Sequence, residues 1–390
     1  MTTQATNYCA VASTRFKALL DQTSDYWKVG CAFDSMIDFI EYCSTNKATD
    51  AAKAAAWVIE QSAFDPDKTW FDDLGWWTIA TGRAVQKTTI FSANDRKQLT
   101  AIMTRCWKGF MNNAPQVWAR CPQSQYKDCA PAVSAGVWNE YWAGTDPKWP
   151  GPKDGDPNAG TLHGIQNAVT NNVFLLSAQI LKDATAAKAE FGFLNTWLTM
   201  PAPPKGSYKL PLLWTLSKTQ ALVYERATHF ASRAAPGFQT DWAWTGDQGL
   251  TIGSLIGQVI GITDPAERKR LIDLAVHILQ GVQLRLVDSA NNILNYWTVS
   301  GDVPDGDESD YATGTGVFWR YMLRVRELDY LSNAFKTDDF QKILLTNAAE
   351  ATKDNSHRTW PNEYQPSDDV TLANDLAVLV AASRMLKKPA

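Results

Sequence analysis

The stretch TDAAKAAAWVIEQSA, residues 49–63, carries the clearest helical pattern of the chain. A Thr-Asp pair gives a cap signal at its start, and alanine, the residue with the highest helix propensity, fills much of its interior. Residues 31–43 show a second form of the signal, an apolar stripe at three- and four-residue spacing. The stripe consists of Phe33, Met36, Ile37 and Ile40. Both patterns are typical of helices that bury one face.

The same periodicity recurs along most of the 390 residues and predicts roughly a dozen helices. The other predicted helices cover residues 7–22, 73–89, 93–112, 162–184, 186–199, 216–235, 246–262, 265–284, 310–328, 335–352 and 368–387. Short loops join many of them, and no Gly/Ser-rich linker divides the chain. The sequence therefore predicts one all-α domain over residues 1–390, in which the helices fit an (α/α)6 toroid of six hairpins.

Few segments have the pattern of a strand. The best candidate is a hairpin within LRLVDSANNILNYW, residues 284–297, where Asn291-Asn292 supply the turn. Long loops are predicted at residues 113–160, 200–211 and 286–309, and long loops in compact domains are usually functional or mobile. We expect them to wall one mouth of the toroid.

Charge and composition exclude several classes of function. Lys plus Arg number 37 against 41 Asp plus Glu, with no basic run, so we expect no nucleic acid partner. No apolar run reaches the roughly 18 residues of a membrane span, so we expect no membrane partner either. Phosphate-binding GxxxxGK loops and GxSxG nucleophile elbows are absent from the sequence. Without CxxC or HxxxH spacing, and with an acidic stretch at 302–310 that does not match a calcium loop, we expect neither metal nor cofactor.

Six cysteines lie in the first third of the chain. An even number in one region predicts disulfides, although three pairs permit 15 connectivities. The short loop between Cys121 and Cys129 makes them the first candidate pair. Disulfides favour an oxidising compartment, and we expect a secreted monomer. Residues 1–16 lack the pattern of a signal peptide, which fits a mature form or a cytoplasmic protein.

Tryptophan is unusually abundant, with 17 Trp against 15 Phe and 12 Tyr. Most of these rings are expected in the core. The others offer flat platforms with one polar edge, which suit the apolar faces of sugar rings.

Residues 70–77, WFDDLGWW, set two adjacent carboxylates among four aromatic rings. Asp72 and Asp73 come at the start of a predicted helix, where Asp commonly caps free N–H groups and complements the helix dipole. Capping needs no aromatic neighbours, however, and four-residue spacing puts Trp76 beside Asp72 and Trp77 beside Asp73. Because two close carboxyls do not both ionise easily, one of them keeps its proton. An acid beside a base is what retaining glycoside hydrolysis requires.

WFDDLGWW resembles the Asp-Asp motif of glycoside hydrolase family 76, the bacterial and fungal α-1,6-mannanases. SAGVWNEYW, residues 134–142, is similar to the family's Gly-Gly-Ile/Val-Trp segment, with Ala135 in place of the first Gly. GIQNAVTNNVFLLSAQIL, residues 164–181, is similar to its Lys-Asn-Ala-Ile-Ser/Thr-Asn helix, with Gln166 in place of Lys. WAWTGDQGLTIGSL, residues 242–255, is similar to its Trp-Thr-Tyr-Asn-Gln-Gly helix start. Four motifs in the family's order are specific together, although none suffices alone.

The resemblance implies an (α/α)6 toroid whose Asp pair lies in a central cleft and cleaves α-linked mannan with retention of configuration. It implies that Asp72 is the nucleophile and Asp73 the acid/base. The other family contacts correspond to Asn167 and Asn171 for sugar hydroxyls, and to Trp76 or Trp77 and Trp138 for stacking. Helix capping is the alternative role for the two Asn residues.

This chain departs from the family at Gly246-Asp247, where the family has Tyr-Asn before the retained Gln248-Gly249. Asp247 either caps the helix predicted over 246–262, binds a cationic or differently hydroxylated sugar, or takes one role in an inverting site with carboxyls ~6.5–9.5 Å apart. Asp247 and Gln248 are therefore predicted substrate contacts.

The sequence thus predicts a retaining hydrolase of an α-linked polysaccharide or oligosaccharide, similar to endo-α-1,6-mannanases. A transglycosylase and a non-catalytic carbohydrate-binding protein, both on the same scaffold, are the alternatives.

Overall fold

The computed structural model describes residues 7–66, 69–113, 136–137, 167–200, 212–225, 242–299 and 308–386. The helices in these ranges are α1 (Tyr8–Leu20), α2 (Tyr26–Tyr42), α3 (Lys47–Glu60), α4 (Phe71–Gln86), α5 (Ala93–Asn113), α6 (Ala168–Leu181), α7 (Ala184–Leu198), α8 (Thr245–Val259), α9 (Pro265–Arg285), α10 (Glu308–Tyr311), α11 (Gly314–Glu327), α12 (Ser332–Phe335), α13 (Asp338–Glu350) and α14 (Asp368–Met385). Four three-residue strands accompany them: β1 (Leu213–Thr215), β2 (Ala221–Val223), β3 (Trp242–Trp244) and β4 (Trp297–Val299).

Alternate helices form a closed ring. Helix α2 packs on α4, α4 on α6, α6 on α8, α8 on α11, α11 on α14, and α14 packs back on α2. Helices α1, α3, α5, α7, α9 and α13 lie outside this ring, each against one or two of its members. This arrangement confirms the predicted all-α fold and the (α/α)6 toroid.

Burial separates the two layers as amphipathic patterning predicts. The inner helices α4, α6, α8 and α11 have nearly continuous runs of buried residues, whereas the outer helices α7, α9 and α13 bury one face. The inner helices approach closely because glycines stand at their contacts. A Cβ on Gly75 of α4 would lie 2.6 Å from Val173 of α6, and one on Gly249 of α8 would lie 2.7 Å from the main chain of Phe318.

The inner helices begin at the same end of the ring. Ser24, just before α2, donates a hydrogen bond of 2.5 Å to Asp369 in the first turn of α14. Trp244, just before α8, donates its ring N–H over 2.7 Å to the carbonyl of Tyr311, just before α11. Because inner helices alternate with outer helices that return the chain, they run parallel, and their N-termini line one mouth.

The prediction of a helix over residues 216–235 is wrong for its described part. Residues 221–223 form β2, which pairs antiparallel with β1, and residues 226–235 lie outside the described residues. The apolar run ALV is short, and periodicity cannot distinguish so short a run from a turn of buried helix.

The turn predicted at Asn291-Asn292 is confirmed, but the hairpin predicted around it is not. Asn292 has a left-handed φ of 62°, and Val287 pairs with Leu294 across the turn. The flanking runs do not form a two-stranded hairpin, however. Leu284 belongs to helix α9, and Trp297 pairs with Trp244 of β3. The loop predicted at 286–309 thus contains one strand of the mouth.

A disulfide joins Cys9 in α1 to Cys43 at the end of α2. Cys31 and Cys106 are buried free thiols. The predicted pair of Cys121 and Cys129 lies outside the described residues. Within the described ranges no helix is both long and apolar enough to cross a membrane, and no group of metal-ligating side chains was found.

A buried ion network closes the end of the ring opposite the mouth. Asp34 and Asp38 of α2 accept hydrogen bonds from Arg83 in the last turn of α4 and from Arg324 in the last turn of α11. Arg320 adds a third guanidinium 3.5 Å from Asp34. Burial favours the neutral form of Asp34, but Arg324, Arg83 and Arg320 outweigh it and hold its pKa well below the usual range.

Replacing Arg83 with Ala should destabilise the protein by about 3–5 kcal/mol, because two buried carboxylates lose a shared partner. The matched control is Lys269→Ala, which breaks the exposed pair with Asp273 and should cost no more than about 1 kcal/mol. Chemical denaturation followed by circular dichroism measures both. Equal losses in the two variants would contradict a structural role for the network.

Candidate active site

The Asp pair lies in the first turn of α4, at the mouth of the toroid. Helix α4 begins at Phe71, so Asp72 and Asp73 are its second and third residues, and Trp70 occupies the N-cap position without a side-chain cap bond. The predicted helix start at residue 73 is therefore two residues beyond the observed start, and the pair does not occupy the predicted cap position. Both carboxylates lie where the helix dipole favours negative charge, and Arg83 complements the dipole in the last turn.

The two carboxyl groups face different surroundings. Burial raises the pKa of Asp72 to about 7, against the opposing effect of main-chain hydrogen bonds, and the charges of Asp310 and Glu225 add to the rise. Its Oδ1 atom is buried without a hydrogen-bond partner among the described residues. Asp73 is 8% exposed and lies on the side of α2. Its charge reaches Cys31 of that helix, whose pKa is raised to about 12 chiefly by burial and to a smaller extent by Asp73. The pair thus combines a carboxyl whose protonation state changes near neutral pH with a second carboxyl beside it.

Glu225 is an acidic residue of this site that the sequence analysis did not identify. Its main chain is fixed on both sides, because its N–H donates to the carbonyl of Trp242 over 2.9 Å and its carbonyl accepts from Ala168 at the start of α6 over 2.6 Å. Its carboxylate accepts a hydrogen bond from the hydroxyl of Tyr311. The incorrect prediction of a helix over 216–235 explains why Glu225 was not predicted, since nothing in a helical pattern places that side chain at the mouth.

Asp310 ends the acidic stretch 302–310, which the sequence predicts to be a solvated loop or a cleft rim, and its effect on Asp72 was not predicted. It lies at the edge of the site, where its carboxylate is 3.5 Å from the ammonium group of Lys28. Lys28 also forms an ion pair with Asp25 over 3.0 Å, so this one ammonium group of α2 is shared by two carboxylates. Among the described residues, the side chains around Asp72 are therefore more often negative than positive.

An aromatic cluster lies beside Glu225. The ring of Tyr311 is 4.5 Å from that of Trp242, which stacks at 5.6 Å on Trp297 of the paired strand. Tyr296 and Tyr364 extend the cluster. Strand pairing of β3 with β4 brings these rings together from distant parts of the sequence.

The predicted stacking residues differ in their exposure. Trp76 and Trp77 are 3% and 0% exposed, and Trp77 packs on Phe64 with ring centres 5.0 Å apart. Trp70 is the ring of the motif that solvent reaches, with 40% exposure. Trp138 lies outside the described residues.

Asn167 and Asn171 both hold main chain. Asn167 is the N-cap of α6, and its Oδ1 accepts from the N–H of Thr170 over 2.9 Å. Asn171 accepts from the N–H of Val137 over 3.0 Å and donates to the carbonyls of Val137 and Asn167. The capping alternative thus describes Asn167, and Asn171 clamps the segment that precedes Trp138. Their predicted contact with sugar remains untested.

Gln248 makes an equivalent clamp one inner helix further along the ring. It accepts from the N–H of Val223 over 2.8 Å and donates to the carbonyls of Val223 and Trp244, each over 2.9 Å. The clamp fixes the chain two residues before Glu225. Asp247 is the third residue of α8 and fully buried, whereas Trp244 holds the N-cap position, so Asp247 is not the predicted cap.

No protein-family model matches the chain, and no curated protein matches it in sequence. Solved structures do share its fold. The chain is 14% identical to an inactive variant of the glycoside hydrolase family 76 α-1,6-mannanase of Salegentibacter sp. HEL1_6, in which two adjacent Asp residues are replaced by Asn and which is in complex with α-1,6-mannotriose. The TM-score is 0.61, over 97% of this chain and 99% of that one.

Two further structures resemble the chain over most of their length. Dfg5 of Chaetomium thermophilum, in complex with glucosamine, has a TM-score of 0.60 and 13% identity, over 98% of this chain and 92% of that one. The family 76 α-mannanase BT2949 of Bacteroides thetaiotaomicron has a TM-score of 0.55 and 11% identity, over 96% and 94% of the two chains. At these identities the likeness establishes the toroid and nothing finer.

Replacing Gln248 with Leu should lower the free energy of unfolding by about 2–4 kcal/mol, because it leaves a buried N–H and a buried carbonyl of Val223 unpaired. Gln220→Leu is the control. Among the described residues, its side chain accepts a bond from the exposed hydroxyl of Ser217, and its loss should cost less than about 0.5 kcal/mol. Thermal unfolding measures both variants. Unchanged stability with a raised KM for oligosaccharide would instead identify Gln248 as a substrate contact.

Proposed function

We propose that this protein is a retaining glycoside hydrolase of the family 76 type that cleaves an α-linked mannan, with α-1,6-mannan as the first candidate substrate. The observation that carries the proposal is the adjacent pair Asp72–Asp73 at the N-terminal mouth of an (α/α)6 ring, where burial raises the pKa of Asp72 to about 7. The motif resemblance and the shared toroid of family 76 mannanases support it.

The two roles are those that the resemblance to family 76 implies, and a pKa of about 7 leaves a substantial fraction of Asp72 ionised near neutral pH. Asp72 in its ionised form attacks the anomeric carbon, and Asp73 gives its proton to the departing glycosidic oxygen as that bond breaks. Asp73 then takes a proton from water, whose oxygen displaces Asp72 and restores the original anomeric configuration. If a sugar hydroxyl replaces water in the second step, the same site performs transglycosylation.

Side chains around the pair suit a bound sugar ring. Glu225 and Asp310 offer carboxylate acceptors for hydroxyl groups, and Trp70 is an exposed ring directly before the pair. The acidic balance of the described residues around Asp72 disfavours acidic glycans, which carry the same charge. These features support an uncharged substrate chain, as mannan is.

The remaining features of the proposal concern the protein as a whole. The disulfide between Cys9 and Cys43 supports an oxidising compartment, and we propose a secreted monomer whose residues 1–390 form one catalytic domain. The proposed chemistry requires no metal or cofactor, because both proton transfer and nucleophilic attack come from carboxyl groups.

Asp72→Asn and Asp73→Asn should each lower the turnover of α-1,6-mannan by about 10²–10⁴-fold while retaining affinity for oligosaccharide, since the amides keep the shape and lose the chemistry. Asp273→Asn, an exposed change on α9, is the control and should retain full activity. Product analysis by NMR should show net retention. Net inversion, or full turnover by both variants, would exclude the paired mechanism, and a parent that binds mannan without turnover would be a binding protein.

The pH dependence of kcat/KM tests which of the two Asp residues is the nucleophile and which is the proton donor. The pKa of Asp72 is raised to about 7, so its nucleophilic form is lost as pH falls through that value, and activity should fall with it. Asp310→Asn removes a charge that raises this pKa and should move the acidic limb of the profile to lower pH. Activity that instead falls as pH rises through about 7 would make Asp72 the proton donor and reverse the assignment.

A further inference from the structure

A polar groove lies outside the mouth, between the turn at 288–295 and the segment 359–363. Its volume is about 390 Å³, and its walls include Asp288, Asn291, Asn295, Thr359, Trp360 and Glu363. Several wall residues are exposed, so the groove opens to solvent. Binding sites for small ligands have volumes from about 300 Å³ upward, and the groove reaches that size.

The groove has the side chains that uncharged sugars require. Trp360 supplies a flat apolar ring, and the exposed residues Glu363 and Thr359 supply a carboxylate and a hydroxyl. Asp288 accepts bonds from Ala290 and Asn291, and its carboxylate has lone pairs for a further donor. Among its lining residues there is no Lys or Arg, whereas Asp288 and Glu363 carry negative charge. An acidic glycan would be repelled from such walls.

The platform is held in place before any ligand binds. The guanidinium of Arg358 lies 4.9 Å from the ring centre of Trp360, and Arg358 is itself held by bonds of 2.8 and 2.7 Å to the buried Asp375. A ring fixed in this way loses little conformational entropy when a ligand stacks on it.

The walls contain main chain in a conformation that side-chain-bearing residues rarely adopt. Asn362 and Glu363 are consecutive residues with φ of 50° and 58°, and Asn292 across the groove has a φ of 62°. Such residues persist only where neighbours hold them, and they cluster at functional sites. Here Asn362 is held by the side chain of Asn295 over 3.1 Å, and its own amide holds Trp297.

We propose that this groove is a second carbohydrate site that binds an uncharged hexose segment of a polysaccharide, with Trp360 as the stacking platform and Glu363 and Asp288 as acceptors for hydroxyl groups. It lies close to the mouth, because Asn295 lines the groove and Trp297, two residues on, belongs to the aromatic cluster. The site holds a long chain to the protein while another part of that chain occupies the cleft. The choice of polysaccharide rests on the proposed function, whereas the groove itself does not.

Native electrophoresis in gels containing α-1,6-mannan or dextran tests the site without hydrolysis, using the Asp72→Asn, Asp73→Asn double variant as parent. Adding Trp360→Ala or Glu363→Ala should weaken the apparent affinity for at least one of these polysaccharides about five- to tenfold. Glu363 is exposed, so its variant remains informative if Trp360→Ala fails to fold. Glu60→Ala, an equally exposed change on α3, is the control and should bind as the parent does.

Turnover of α-1,6-mannotriose by the corresponding single variants separates the groove from the cleft, and the proposal expects unchanged kcat/KM. Parent binding that neither groove variant weakens, or a parent that neither gel retards, would overturn the second site. A loss of mannotriose turnover in Glu363→Ala would place that residue in the cleft and also overturn it. The two proposals can also fail separately. If Trp360→Ala and Glu363→Ala weaken the retardation of the parent but the protein without substitutions hydrolyses no mannan, the groove is supported and the proposed function is refuted.

Discussion

The six inner helices run parallel, and this shared direction sets the chemistry of the two ends of the ring. Each inner helix is followed by an outer helix that returns the chain, so the described inner N-termini meet at one mouth. Each terminus carries roughly half a positive elementary charge and several free N–H groups. This end of the ring therefore tolerates acidic side chains that side-chain cations alone would not balance. Asp72, Asp73 and Asp247 all lie in first turns, and Glu225 lies over the start of α6.

The two ends of the ring show how surroundings set the state of one residue type. Asp34 and Asp72 are both aspartates whose charged form is penalised by burial. Asp34 has three guanidinium groups around it, which hold its pKa below the usual range, and it serves as a structural ion. Asp72 has the carboxylates of Asp310 and Glu225 nearby, which add to the effect of burial. One end of the toroid is therefore cross-linked by ion pairs, while the other keeps a carboxyl that changes its protonation state near neutral pH.

Side-chain amides connect the helices to the segments that wall the mouth. Asn171 of α6 clamps Val137 and Gln248 of α8 clamps Val223, while Asn362, which lies outside the ring helices, holds the main chain of Trp297. In each case an amide replaces the hydrogen bonds that irregular main chain cannot make within itself. The walls are therefore positioned by the rigid ring, which explains how Glu225 reaches a fixed place although it belongs to no helix. It also explains why Asn and Gln residues of a motif can be structural.

The amino-acid sequence alone predicts the helical periodicity, the toroid and WFDDLGWW as the candidate catalytic stretch, because apolar spacing and a local motif are properties of neighbouring residues. It also located the turn at Asn292. Packing between distant segments made residues 221–223 a strand, joined Cys9 to Cys43 and placed the side chain of Gln248 on the main chain of Val223. It likewise brought Glu225 and Asp310, 85 positions apart in the numbering, to the same carboxyl group of Asp72. These outcomes depend on which distant segments the closed ring brings into contact, and local spacing carries no information about that.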